Sequence, residues 1–384
     1  MSEIDLKKED IEKLLRVGVD IEEKNRVGSF LYIDNSVYNI TLKQEGVEIL
    51  PLDKALEKYD YLKDYVFKIV DKNKDAYTRL VARKSLNGFF IRTFSNVKTK
   101  FPIQTCFLIK KVGFSQLVHN IVVAEENSEL NLINGCAAAT YSDIGSHIAI
   151  TEFYVKRGAK ISFTMIHDWA PNVVVRPRSA AVVDENGVFI SNYVSLKKVK
   201  SVQSEPNIYL VGKRAKAKLY SILLADKDSN LDIGGRIFLE GDETSGEIVS
   251  RVISDGGKII SKGTLVGIGK NIKAHMECNG IMLKDFGEII TIPELSSRNK
   301  DVEMSHEAIV GKIAKEEIEY LMSRGIKEED AISIILRGFL NIKIEGLPDI
   351  LQKSIDTAIE MAFKGMWGTW KMISQVLCLR WSSI

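Results

Sequence analysis

From about Asp75 to Pro293 the chain repeats one pattern, a turn-prone group followed by a short strand-like run. The members are "ENSELNLI", "RGAKISFTM", "ENGVFISNY", "KRAKAKLYSI", "DSNLDIGGRI", "TSGEIVSRVI", "DGGKIISKGT" and "GKNIKAHME". Later members fall about 11 to 16 residues apart, earlier ones near twice that. Val, Ile, Phe, Thr and Tyr fill the runs, while Gly, Asn, Asp and Ser fill the breaks, and helical periodicity is nearly absent. One unit of this size cannot bury an apolar face alone, but stacked units can. The recurrence therefore points to a solenoid, a β-helix, ahead of a β-sandwich. A β-helix has open ends that need caps, and helical texture lies on both sides of this region.

On the N-terminal side, Ile4, Leu6, Ile11, Leu14 and Leu15 fall near helical spacing within residues 1 to about 25. A β-like piece, "SFLYIDNSVYNITLKQEGVEIL", then precedes a second helical run, "PLDKALEKYDYLKDYVFKIV", with Pro51 near its start. On the C-terminal side, "KEEIEYLMSRG", "KEEDAISIILRGFL" and "DILQKSIDTAIEMAF" read as helices. The chain ends in "KGMWGTWKMISQVLCLRWSSI", which holds three of the four tryptophans. The expected organisation is a mostly helical region at 1–74, a β-helix core at 75–304 and a helical domain at 305–384, with an atypical Trp-rich tail at 364–384. In that tail Trp367, Trp370, Ile373 and Leu377 form a stripe at helical spacing, which reads first as packing.

Charge and motifs exclude several function classes. Against 51 acidic residues stand 53 basic ones, a net charge of +2, too balanced for nucleic acid or a membrane surface as the main partner. No apolar run approaches the roughly 18 residues of a transmembrane helix, and "MSEIDLKKEDIEKLL" has no signal-peptide apolar core. A cytoplasmic protein is expected. Cys106, Cys136, Cys278 and Cys378 are far apart, so neither a disulfide framework nor a four-thiolate zinc site is expected. "GTLVGIGKN" misses the P-loop spacing, and no H-E-x-x-H, G-x-S-x-G or well-placed G-x-G-x-x-G occurs.

One pair of stretches carries possible chemistry. Cys278 lies in "AHMECNGIML", on an expected late strand, and His306 and Glu307 lie in "MSHEAIVGKI", with His306 28 residues on. Thiolate, imidazole and carboxylate together can bind iron or an iron–sulfur cluster. The bland alternative makes Cys278 a core thiol and Ser305 the N-cap of a helix that starts at Ser-His-Glu. His119, His147, His167 and His275 read as hydrogen-bonded structural or surface histidines, and Trp169 in "HDWAP" as part of a packed turn.

The stretch "SHEAIVGKIAKEEIEYLMSRGIKEEDAISIILRGFL" resembles the C-terminal signature of the SufB/SufD family, scaffold proteins of the SUF iron–sulfur cluster assembly machinery. The resemblance extends upstream through "AHMECNGIML", "NGVFISNYVSLKKVKSVQ", "EFYVKRGAKISFTMIHDWAP" and "HNIVVAEENSELNLINGCAAAT", and covers roughly residues 25 to 363. It implies a mainly β fold, a right-handed parallel β-helix flanked by α-helical regions. It implies a non-enzymatic scaffold for a transient iron–sulfur cluster. The partners it implies are a SufC-type ABC ATPase docked on the C-terminal helices, a sulfur donor protein, and a second copy or a SufB/SufD-type subunit. In SufB-type members the cysteine of the "E-C" strand, here Cys278, is the main cluster site. The histidine and glutamate of "HEA", here His306 and Glu307, are proposed ligands. The cysteine of "NGC", here Cys136, matches a position implicated where sulfur enters. Asn279 stands where many SufB proteins have Asp, and the cysteine-rich N-terminal motif of some is absent. The alternative within the family is a SufD-like subunit that docks the ATPase and holds no cluster. An unrelated secreted β-helix enzyme acting on polysaccharide is disfavoured by the lack of a signal peptide.

Overall fold

The computed structural model describes residues 6–84, 87–344, 346–347 and 349–363. The Trp-rich tail, with its tryptophan stripe and Cys378, lies outside the described residues.

Two long sheets, parallel along most of their length, face each other across one core, and the chain passes from one to the other as it climbs. The first sheet runs Ser36–Leu42, Gly28–Ile33, Ile103–Ile109, Glu129–Ala138, Lys160–Asp168, Val188–Ser195, Lys216–Asp226, Ser245–Asp255, Ile272–Met282, Val302–Gly311. The second climbs from Val47–Pro51 through Phe89–Thr93, Phe114–Ala124, Ile144–Val155 and Asn172–Val183 to Lys258–Gly267, against which Glu288–Ser297 pairs. In-register positions on successive coils of the first sheet are Cys106, Gly135, Ile166, Val194, Ile222, Arg251, Asn279 and Ile309, 28 to 31 residues apart. This is the β-helix that the punctuation implied.

The punctuation has a local cause. Asn96, Asn127, Gly158, Asn186, Arg214, Glu243 and Asn271 recur near one residue per coil, and each takes a left-handed backbone. Asn and Gly tolerate that conformation best. From Asn96 to Glu243 each donates its N–H at 2.8–2.9 Å to a carbonyl of the next coil: Glu126, Arg157, Glu185, Lys213, Asp242 and Lys270. The corner thus turns the chain and stacks one coil on the next.

Alternate residues point inward, so Phe30, Phe89, Phe107, Phe153 and Phe189 fill the lumen together with Val, Ile and Leu. Each such side chain contributes about 1.5–3 kcal/mol by burial. The outer face of the first sheet is also apolar. There Ile133, Ile166, Val194, Ile222, Val249 and Ile253 cluster with residues of three helices, Lys8–Arg16, Glu328–Leu340 and Asp349–Phe363. On the second sheet, residues 52–81 cover Phe90, Ile121, Ile148 and Ile150.

Three local expectations fail for physical reasons. The run after Pro51 forms a helix only over Leu52–Lys58 and a 3-10 turn over Asp60–Tyr65. Beyond it, the Glu152 carboxylate accepts the N–H groups of Phe67, Ile69 and Val70 at 2.7, 2.7 and 3.1 Å, which removes them from any helix. Second, Ala76–Lys84 is a helix inside the stretch read as β. Asp75 caps it, accepting from the N–H groups of Tyr77 and Thr78 at 2.9 Å. Third, Val302–Gly311 is the last strand of the first sheet, and the next helix is Lys315–Met322 with Ala314 at its N-cap. Ser305 is therefore a mid-strand residue, not a helix cap. No helix among the described residues is long and apolar enough to cross a membrane.

Candidate functional site

Ile272–Met282 alternates strictly until its last residues. Ile272, Ala274, Met276 and Cys278 are buried in the lumen, while Lys273, His275, Glu277 and Asn279 lie on the outer face. Cys278 is 1% exposed. Ser250 precedes it in register, and Ser261 reaches over from the second sheet and donates to Ser250 Oγ at 2.9 Å. Burial pushes the Cys278 thiol above its ordinary value. A hydrogen bond with Ser261 opposes that rise, Glu277 adds to it, and the Arg251 guanidinium opposes it. Within one chain the surroundings of Cys278 thus favour the protonated thiol.

The last strand sets the rest of the site. Met276 pairs with His306, Glu277 with Glu307 and Cys278 with Ala308. Partners in register share a face of the sheet. Val302 and Met304 pack against the lumen core, and Ser305 Oγ meets His275 Nδ1 outside at 2.9 Å. His306 therefore lies on the lumen side with Cys278 as its diagonal neighbour. Glu307 lies outside, beside Glu277. Among the described residues Val302–Gly311 pairs on one edge only, and every residue from Ser305 to Gly311 is exposed. Among the described residues no three His, Cys, Asp or Glu side chains converge as a metal centre. One chain thus brings Cys278 and His306 to a common face and leaves Glu307 across the strand.

Cys136 sits five coils earlier in the same lumen and is fully buried. Its thiol donates to Asn134 Oδ1 at 3.7 Å, and Asn134 Oδ1 also accepts from Thr105 Oγ1 at 3.1 Å. Burial, with a lesser push from Cys106, holds the Cys136 thiol well above its usual value. The "NGC" motif has a packing reason too: a Cβ on Gly135 would stand 2.6 Å from methyls of Val17 and Val19. Cys136 faces His167 in register, and His167 Nδ1 meets the Tyr193 hydroxyl at 2.9 Å. Trp169 packs between His147 and His167, at 5.0 and 5.4 Å. A single register column, Asn134, Met165, Tyr193, Ser221, Ser250, Cys278, runs from beside Cys136 to Cys278. A cavity of about 40 Å³ lies along it, lined by Met165, Ser191, Tyr193 and Ser221 among others. Sequence reading missed Ser250 and Ser261, although the 28-residue step from Ser250 to Cys278 was available to find the first.

These features define a β-solenoid whose candidate site residues lie on the last two coils among the described residues and not in a cleft. The family model described as "SUF system FeS cluster assembly, SufBD core domain" matches residues 107–339. An iron–sulfur cluster assembly SufBD family protein of Archaeoglobus fulgidus is 47% identical over 353 residues, covering 92% of this chain and 95% of the relative. One of Methanothermobacter thermautotrophicus is 45% identical over 364 residues, covering 94% and 89%. Another, of Pyrococcus horikoshii, is 34% identical over 368 residues, covering 94% and 82%. The chain belongs to the SufBD family of the SUF system for iron–sulfur cluster assembly.

Proposed function

We propose that the chain is a cytoplasmic scaffold on which a nascent iron–sulfur cluster is built, with Cys278 and His306 as principal ligands. The supporting observation is their shared face on the last two strands, at a coil with an unpaired edge. Iron placed off that edge is flanked by His306 on one side and Glu307 on the other, so Glu307 joins across the strand. Cys136 receives sulfur first: a partner must uncover its buried thiol, after which the thiolate formed attacks the outer sulfur of a donor's persulfide and the donor's thiolate leaves. The lumen column from Asn134 to Cys278 supports that order.

The open edge takes a second copy of this chain or a SufB/SufD-type subunit, since its backbone N–H and C=O groups await a strand. Ile309 and Val310, 66% and 44% exposed, supply apolar contact there. The helix Lys315–Met322 buries no residue and leaves Tyr320 and Met322 exposed, which suits docking of a SufC-type ATPase. That subunit hydrolyses ATP, and this chain responds.

Anaerobic reconstitution with iron and sulfide, followed by absorption spectra, tests the reading. Wild type should acquire a cluster band that Cys278→Ser lacks, and equal cluster content in both would remove Cys278 from the mechanism. The burial of Cys278 favours a second reading, a SufD-like subunit that docks the ATPase and holds no cluster. A wild-type chain that binds the ATPase but never acquires the band would establish it.

A further inference from the structure

We propose that Arg251 is a positioning residue through which the C-terminal helices hold the strand pair of Cys278 and His306 in place. The proposal deepens the scaffold reading and rests on it for its functional meaning.

Val249, Arg251 and Ile253 alternate along the outer face of Ser245–Asp255. Val249 and Ile253 belong to the apolar cluster that contains Leu336 and Leu340 of the helix Glu328–Leu340. Arg251 is set between them. Its guanidinium lies over the ring of Phe339, 5.7 Å from the centroid. Its Nη1 lies 2.6 Å from Glu277 Oε1. Glu277 Oε1 also accepts from Asn279 Nδ2 at 2.7 Å.

Glu277 is the residue before Cys278 and stands in register with Glu307 on the last strand. Two like charges directly opposite one another push their strands apart. Arg251 offsets that push by pairing with one of them, and its side chain is only 17% exposed, so solvent screens the pair weakly. One cation is thus gripped by the helix on one side and by the site strand on the other. A partner that draws the helix away strips Phe339 from the guanidinium, hydrates the pair and weakens its hold on Glu277. The carboxylates of Glu277 and Glu307 then repel with only the neutral Asn279 amide left on Glu277, and the last two strands of the first sheet loosen around Cys278.

Hydrogen exchange on the intact, metal-free chain tests this. Phe339→Ala and Arg251→Gln should each speed exchange in Ile272–Met282 and Val302–Gly311 by about tenfold. Exchange in Glu129–Ala138 should not change. The double variant should exchange no faster than Arg251→Gln alone, because both act on one linkage. Arg251→Lys keeps a cation for Glu277 but loses the planar stack, so its exchange should fall between wild type and Arg251→Gln. Additive effects, unchanged exchange, or equal acceleration in every coil would overturn the proposal. Since no cluster is present, a failed reconstitution would sink the scaffold reading without altering this result.

Discussion

Cys278 and His306 occupy the lumen face of adjacent strands, two residues out of step: Cys278 faces Ala308, and His306 faces Met276. Cys278 is covered and His306 is exposed. The pair therefore straddles the boundary between the packed core and the open coil, and a ligand reaching both must come in through that coil. Glu307, one residue on, starts from the other side of the sheet.

This geometry ranks the proposed ligands. His306→Ala should lower the iron and sulfide retained after reconstitution as strongly as Cys278→Ser does. Glu307→Gln should retain more than either, because its carboxylate reaches the site only across the strand edge. Iron and sulfide analysis of the three variants checks the order, and a Glu307→Gln loss equal to that of His306→Ala would contradict it.

Self-association should run through the same edge. Ile309 is 66% exposed on the outer face of the final strand. Ile309→Asp places a charge where an added strand would pack and should weaken assembly by about tenfold or more. Sedimentation velocity over a concentration series, with the chain alone and with a SufB/SufD-type partner, measures it. An unchanged distribution in both would move the interface elsewhere.

The coil architecture was legible because its corners are chemically special. Left-handed residues at Asn127, Gly158, Asn186 and Asn271 coincide with four of the turn groups read from the sequence. The failures came from partners remote in sequence. No local pattern announces that Glu152 will take three N–H groups from residues 67–70, and that capture ends the helical run after Pro51. The cap on Ala76–Lys84 is local, Asp75-x-x-Thr78, and the β texture that follows it hides that signal. Ser305 was a plausible cap by residue type, yet register with His275 keeps it extended. The Cys278–His306 relation was legible as a spacing. The side on which each residue falls was not, since parity depends on a 30-residue step from Cys278 to Ala308 that only the register reveals.

Gly135 makes room for the N-terminal helix. A methyl there would lie 2.6 Å from side-chain carbons of both Val17 and Val19 and 2.8 Å from the Val17 carbonyl oxygen. Gly135→Ala should destabilise the chain by about 1–3 kcal/mol through overpacking. Val17→Ala removes one of the two obstructing side chains, so the pair should be less damaging than the sum of the singles. Denaturant midpoints of the three variants decide it, and strict additivity would place the strain elsewhere.

The buried histidines should make stability fall in mild acid. His147 hydrogen-bonds Gln116 Oε1 through Nδ1 at 2.8 Å, between the rings of Phe107 and Trp169. Burial lowers its pKa from 6.5 to about 3, and burial together with His147 lowers that of His167 well below 6.5. Between pH 6.5 and about 3 the unfolded chain thus binds a proton at His147 that the folded chain refuses. Stability rises with pH across that window, so this contribution is fully present above pH 6.5 and is lost as the pH drops. The limiting slope is about 1.4 kcal/mol per pH unit for each such histidine, and the loss at pH 5 is about 2 kcal/mol for His147. His147→Gln keeps a polar group opposite Gln116 and removes the proton site. Its urea midpoint should fall less than that of wild type between pH 7.5 and pH 5, and parallel losses in the two proteins would show that His147 is not the group responsible.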